Sequence, residues 1–297
     1  MNGHELIESA IYDELPYRIV LDLNKPFGLE IEVSLDDPMD RYYICNHYLE
    51  QKAYERDIDK TVGGNFPLEI KTPLLSDDVE TWKDLSDLAK RMRDCSINFD
   101  TSAFQVNIDI DYDFLDCYYL LLLFYSFEHI IFRFSMSGKN SLRPLKYASS
   151  LENFLKNYKK REVSRIGLDG LIDNKNYAFS FKYRNRTSYN SAPNGFEARI
   201  PNGCSDAWMW QNYVNTFYYL VNVISKLDLD HIDYSLCYGE LKQKDYLQLY
   251  LDDAVNFSNI IFSNDIDKIY FLRQYIGNDR AKAKHYLRNL RWKYGIK

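Results

Sequence analysis

The stretch PFGLEIEV, residues 26–33, decides how the chain is read. Phe27, Leu29, Ile31 and Val33 alternate with Gly28, Glu30 and Glu32. That is the two-residue period of a strand with one face in a core. The same period sets Glu30 and Glu32 on one face, about 6–7 Å apart along the strand. Like charges placed side by side repel, so the strand raises the question of what its glutamates face.

Three further stretches repeat the pattern. In FPLEIK (66–71), Leu68 and Ile70 oppose Glu69 and Lys71. In AFQVNIDID (103–111), Phe104, Val106, Ile108 and Ile110 oppose Gln105, Asn107, Asp109 and Asp111. In GFEARI (195–200), Phe196, Ala198 and Ile200 oppose Glu197 and Arg199. Each strand is expected to turn an apolar face inward and its carboxylates or amides outward. A half-solvated antiparallel sheet accounts for the alternation, and a solvated strand end accounts for Asp109 and Asp111. It accounts less well for polar faces so rich in Glu, Gln, Asn and Asp. Crowded carboxylates make sense beneath divalent cations. Mg²⁺ takes hard oxygen ligands, commonly one or two carboxylates with substrate phosphates. Glu30 and Glu32 can each serve one ion of a pair about 3.5–4 Å apart.

The rest of the sequence frames these strands. A chain of 297 residues, 46% hydrophobic and 27% charged, is long enough to bury a sizeable core. With no repeat, low-complexity run or linker, residues 1–297 read as a single domain. Its core spans about 17–225, and 226–297 form a helical C-terminal extension. A net charge of −6 argues against nucleic acid as the main partner. Five cysteines without paired spacing argue against a zinc site or a disulfide framework. Together with an N-terminus lacking an apolar signal core, they suggest a cytoplasmic protein. The apolar run CYYLLLLFYSFEHIIF (117–132) carries Glu128 and His129. It reads as a buried core helix, not a membrane span.

YRIVLDL (17–23) leads into the opening strand, and NYAFSFKYRN (176–185) pairs antiparallel with residues 195–201. Helices are expected over 78–94, 114–133, 150–165, 205–227, 240–262, 264–276 and 278–292. Strands early and helices late make an α+β protein. The closing RAKAKHYLRNLRWKYGIK, with seven Lys or Arg and no acid, reads as a solvated helix face before it reads as a contact to an acidic partner.

PFGLEIEV, PLEIKTPLL, SAFQVNIDID and GFEARIPNG, followed by WMWQNYV, together resemble the amidoligase family, in the expected order from about residue 26 to residue 225. These are carboxylate–amine ligases grouped with glutamine synthetase and glutamate–cysteine ligase. The resemblance implies a glutamine-synthetase-like antiparallel sheet that cradles ATP and Mg²⁺, with helices packed on one face. It implies Glu30, Glu32, Glu69 and Glu197 as metal ligands and Arg199 on the transferring phosphate. The family's third strand usually carries His-x-His, where this chain has Gln105-Val106-Asn107. That stretch is similar to the QVNLD strand of plant-type glutamate–cysteine ligases, and an amide oxygen suits Mg²⁺, so Gln105 is carried as a ligand. Arg143, Arg184 and Arg186 are carried as phosphate or substrate contacts, and Lys71 as a neutralising neighbour of the cofactor.

The implied reaction turns a substrate carboxylate into an acyl phosphate, from which an amine displaces phosphate to give an amide or isopeptide bond. Arg199 would stabilise the moving phosphoryl group. Glu69, Asp57 or Asp59 would take the amine's proton. The substrates implied are one bearing a carboxylate and one bearing an amine, of peptide or protein class. Two other readings compete. Asp57 or Asp59 followed by Glu69-Ile70-Lys71 also fits the D…ExK pattern of Mg²⁺-dependent nucleases. A non-catalytic binding or assembly protein that keeps the ligase fold would explain the missing His-x-His pair.

Overall fold

A computed structural model describes residues 1–52, 54–57, 62, 64–95, 97–98, 102–136, 148–152, 154, 168, 170–183, 192–226 and 244–294. The expected strands form one antiparallel sheet, joined by two short strands that the sequence did not mark. In chain order they are β1 (Phe27–Leu35), β2 (Glu55–Asp57), β3 (Phe66–Lys71), β4 (Ile97–Asn98), β5 (Phe104–Asp109), β6 (Phe179–Lys182) and β7 (Gly195–Ala198), of which β2 and β4 are the additions. The order across the sheet is β2-β3-β1-β5-β7-β6, and β4 pairs with the far end of β1.

Helices α1 (Gly3–Tyr12), α2 (Pro38–Ile44), α3 (Val79–Asp94), α4 (Phe114–Ser126) and α5 (Glu128–Phe134) lie in the first half of the chain. After β7 come α6 (Ala207–Asn222), α7 (Leu251–Ile261), α8 (Asp265–Ile276) and α9 (Arg280–Tyr294). The protein is α+β, as the strand and helix pattern predicts.

The apolar face of the sheet is sealed by aromatic contacts to helices. Phe27 stacks on Trp82 of α3 at 5.3 Å, and Phe104 on Trp210 of α6 at 5.6 Å. Phe179 meets Phe124 of α4 at 4.8 Å. Such pairs contribute about 0.5–1.5 kcal/mol each beyond the area they bury. Both α3 and α6 begin on an aspartate that caps a backbone N–H, Asp78 to Thr81 and Asp206 to Trp208. In α3, Trp82, Leu85, Leu88, Ala89 and Met92 are the buried positions, a helical stripe aimed at the sheet. The C-terminal helices share this core: α8 packs against α1, α5 and α6, so both ends of the chain close on one hydrophobic cluster.

The structure corrects three expectations. First, the middle of the sheet's polar face is covered, not solvated: Gln105 is 1% exposed, Glu32 2% and Glu197 3%, while Glu30 and Lys71 remain half-buried. Gly64 explains part of the cover. It takes φ +115°, and a Cβ there would collide with Ser34 Oγ. Only glycine lets this chain lie directly on the far end of β1.

Second, the helix expected over 114–133 breaks at Phe127, and α4 and α5 meet at 71°. Glu128 is the first residue past the break. Its buried carboxylate accepts from Ser150 Oγ at 2.6 Å and from Leu151 N at 2.8 Å, so it turns toward that segment. No single helix among the described residues is long and apolar enough to cross a membrane, and only the bent α4–α5 pair passes by length and composition.

Third, the helix expected from 240 begins at Leu251. Residues 244–250 form coil and a turn, where Tyr250 N donates to Tyr275 Oη at 2.9 Å. Residues 17–23 lead into β1 as coil and a bend and pair with no strand. The N–H groups of Leu21 and Leu23 donate instead to the Asp77 carboxylate. Most of the helix expected over 150–165 lies outside the described residues.

Glu128 gives the fold a pH dependence. Burial raises its pKa from 4.5 to about 7, against the hydrogen bonds from Ser150 and Leu151 and with the charge of Glu152. A folded-state pKa above the unfolded one means that the folded state holds the extra proton. This contribution to stability is therefore complete below about pH 4.5, erodes as pH rises, and is gone above about pH 7. Glu128→Gln should flatten that slope in a Tm series from about pH 5 to 8, because Ser150 Oγ can turn from donor to acceptor toward the new amide. An unchanged slope would assign the pH dependence elsewhere.

A carboxylate-rich cleft on the polar face of the sheet

The strand register decides which polar side chains meet. Glu32 lies directly opposite Glu69, and Glu30 lies between Lys71 on β3 and Gln105 on β5. Asn107 sits between Gly28 and Glu197, and Glu197 faces Ser180 on β6. Asp57 on β2 faces Glu69. One face thus gathers Asp57, Glu69, Glu32, Glu30 and Glu197 with Lys71, Lys182 and Arg199. A cavity of about 500 Å³ opens over it, with Gly28, Glu30, Lys71, Asn107, Lys182 and Glu197 in its lining. That volume lies within the range of small-molecule sites. Gly28 forms part of the floor, and its missing side chain leaves Asn107 and Leu74 as the nearest walls.

Each carboxylate has its own donor. Gln105 Nε2 donates to Glu32 Oε1 at 2.7 Å, and Asn107 Nδ2 to Glu30 Oε1 at 3.2 Å. Lys71 Nζ lies 3.0 Å from Glu69 and 4.0 Å from Asp57. Glu197 Oε2 receives Ser180 Oγ at 2.9 Å, Lys182 Nζ at 2.9 Å and an Arg199 terminal nitrogen at 3.0 Å. The same Arg199 nitrogen donates to Gln105 Oε1 at 2.8 Å.

The two ends of this face are tuned oppositely. Burial raises the Glu30 pKa from 4.5 to about 7. The charge of Glu197 and a hydrogen bond and charge from Glu69 add to that rise, and Lys71 opposes it. Glu30 therefore keeps its proton closer to neutrality than an exposed glutamate does. Burial also pushes Glu197 up, but Arg199 and Lys182 outweigh it and hold that carboxyl below the usual carboxylate range. Lys71 loses some of its basicity to burial and regains more from Glu69, Glu30 and Asp57, so its pKa is raised.

The structure brings together Glu30, Glu32, Glu69, Gln105, Glu197, Arg199 and Lys71, with Asp57 at the sheet edge, all singled out from sequence. Arg143, Arg184, Arg186 and Asp59 lie outside the described residues. Lys182 and Ser180 were missed, although FSFK shows the same alternation that marked the other strands. Asp173, 3.8 Å from Lys182 and at φ 53°, carries no sequence signal.

The donor set is one of hard oxygens, which fits Mg²⁺ in kind. Among the described residues, however, no three His, Cys, Asp or Glu side chains are already gathered at one point for an ion. Lys71, Lys182, Arg199 and the two amides occupy the carboxylates instead. The fit to a phosphate is more direct, because Arg199 Nε is buried with no hydrogen-bond partner. No family model matches the chain, and no curated protein matches it.

Proposed function

We propose that the chain is an ATP- and Mg²⁺-dependent carboxylate–amine ligase that forms an amide or isopeptide bond through an acyl phosphate. One observation carries this reading. Four glutamates from three strands, Glu30 and Glu32 on β1, Glu69 on β3 and Glu197 on β7, share one face of the sheet; three of them are buried, Glu30 and Glu197 line the cleft, and Arg199 is bonded to Glu197. Structural carboxylates are rarely buried in such numbers. A site that exists to receive positive charge accounts for them.

In this reading Glu30, Glu32, Glu69 and Glu197 would hold Mg²⁺, with the amide oxygens of Gln105 and Asn107 nearby. Bound there, Mg²⁺ would neutralise the phosphates. Arg199, aimed across β5 by its bonds to Glu197 and Gln105, would hold the phosphoryl group in line for attack by the substrate carboxylate. Glu69, with Glu30 beside it, would accept the proton lost by the incoming amine. Lys182 and Lys71, at opposite sides of the cleft, would orient anionic groups. The second substrate would be a peptide or protein carrying an amine.

The nuclease reading has one observation in its favour: the register sets Asp57 opposite Glu69 with Lys71 beside both. It leaves the buried Glu32, Gln105, Glu197 and Arg199 without a task. The two separate on one set of assays. Mg-ATP at about 100 times its Kd should stabilise the fold by about 2.7 kcal/mol, a rise of about 5 °C or more in Tm. No heat of binding at millimolar nucleotide would sink the ligase. Metal-dependent DNA cleavage without ATP, lost in Lys71→Ala, would install the nuclease in its place.

A further inference from the structure

We propose that Gln105 is a positioning residue: its side-chain amide joins Arg199 to Glu32 across β5, fixing where both point, and does not itself ligate. The argument rests on hydrogen-bond polarity. Gln105 Nε2 donates to Glu32 Oε1 at 2.7 Å, while Gln105 Oε1 accepts from Arg199 at 2.8 Å. An ionised glutamate can only accept, and an arginine can only donate. The amide therefore has one permitted orientation. Turned over, it would set donor against donor and acceptor against acceptor.

The connection is buried throughout, with Gln105 1% exposed, Glu32 2% and Arg199 7%. It continues through Arg199 to Glu197 at 3.0 Å, giving a chain Glu197–Arg199–Gln105–Glu32 that crosses from β7 over β5 to β1. Hydrogen bonds in such a chain reinforce one another where water is excluded. The amide oxygen that a cation would need is turned toward Arg199. A lone carboxylate or a lone ammonium at this position would satisfy one neighbour and repel the other. Only a side chain with both a donor and an acceptor at its tip serves both.

This inference rests on the ligase reading for its purpose, since it ties the residue that would meet phosphate to one that would hold a cation. Its physical content can be tested apart from that reading. Gln105→Glu should place a carboxylate against Glu32 and lower Tm by about 5 °C or more. The pair Glu32→Gln with Gln105→Glu should restore Tm to near the wild-type value, because the donor then comes from β1 and Arg199 keeps an acceptor. If Gln105→Glu alone does not fold, folding of the pair is itself the recovery. A pair no more stable than Gln105→Glu alone overturns the proposal.

A second readout separates positioning from ligation. Inorganic tripolyphosphate binding is measured in EDTA, where no cation is present. Gln105→Leu should weaken it about tenfold, because Arg199 loses its aim. Equal affinity in wild type and Gln105→Leu overturns the proposal, since loss of a metal ligand would leave metal-free binding unchanged. If wild type binds no tripolyphosphate, the ligase reading fails. The charge-exchange pair then decides Gln105 alone, recovery upholding the connection and no recovery overturning it.

Discussion

Arg199→Lys should lower the rate of amide formation by about 10²–10³-fold while leaving Tm nearly unchanged. The asymmetry follows from the bonds. A single terminal nitrogen of Arg199 serves both Gln105 and Glu197. An ammonium brings three donors and can replace that one nitrogen, so the buried carboxylate stays paired. It cannot replace the planar fork, including the buried Nε that has no hydrogen-bond partner. If the fork exists to hold a phosphoryl group, the loss appears in kcat and not in stability.

Arg199→Ala should do both kinds of damage. It strips Glu197 of one of its two cations and leaves the Gln105 oxygen facing a void. Breaking a buried ion pair costs about 3–5 kcal/mol, and Lys182, still 2.9 Å from Glu197, keeps the figure at the low end. Phosphate release coupled to amine addition reads the rate, and thermal denaturation reads the fold. A lysine variant with undiminished rate would remove Arg199 from the chemistry and leave it as a strut for Glu197.

How much of this was legible in advance depends on the distance over which each fact is decided. The alternation in β1, β3, β5 and β7 is local, so these strands and the faces of Glu30, Glu69, Gln105 and Glu197 could be read directly. The register that sets Glu32 opposite Glu69 was not readable, because it depends on how strands far apart in sequence slide together. Burial of the polar face was missed for a similar reason. Alternation says which side chains share a face but not what lies over it, and the Gly64 backbone over Ser34 is a tertiary fact. Glu128 shows the same limit within a helix. Its apolar neighbours predict one long helix, whereas the helix breaks at Phe127 and Glu128 turns to partners far along the chain, Ser150 and Leu151. The lead-in at 17–23 is held in the same long-range way, by Asp77, whose carboxylate takes the backbone N–H groups of Leu21 and Leu23.

Glu30→Gln should make the protein more stable and disable it. Ionised Glu30 is a cost to the fold, since its pKa rises from 4.5 to about 7 in a buried site beside Glu197 and Glu69. The folded state therefore holds a proton that the unfolded state releases. Stability from this group is complete below about pH 4.5, declines as pH rises, and is lost above about pH 7. The glutamine supplies permanently what the proton supplies conditionally. Its oxygen can accept from Asn107, and its N–H can donate to Glu69, the neighbour that now bonds Glu30. Without nucleotide or metal, the variant should exceed wild type by about 1–3 kcal/mol at pH 8, several degrees in Tm, and match it at pH 5. Millimolar Mg-ATP should reverse the order at pH 8, because wild type gains the ligand's stabilisation and the variant has lost a carboxylate that would receive the cation. Melting curves at two pH values, with and without Mg-ATP, contain the whole comparison. A variant less stable than wild type at pH 8 without ligand would mean that Glu30 is no reservoir of strain. A variant that still gains the full Mg-ATP shift would mean that the strain at Glu30 is unconnected to cation binding. Destabilisation relieved only when ligand arrives is what separates a binding carboxylate from a structural one.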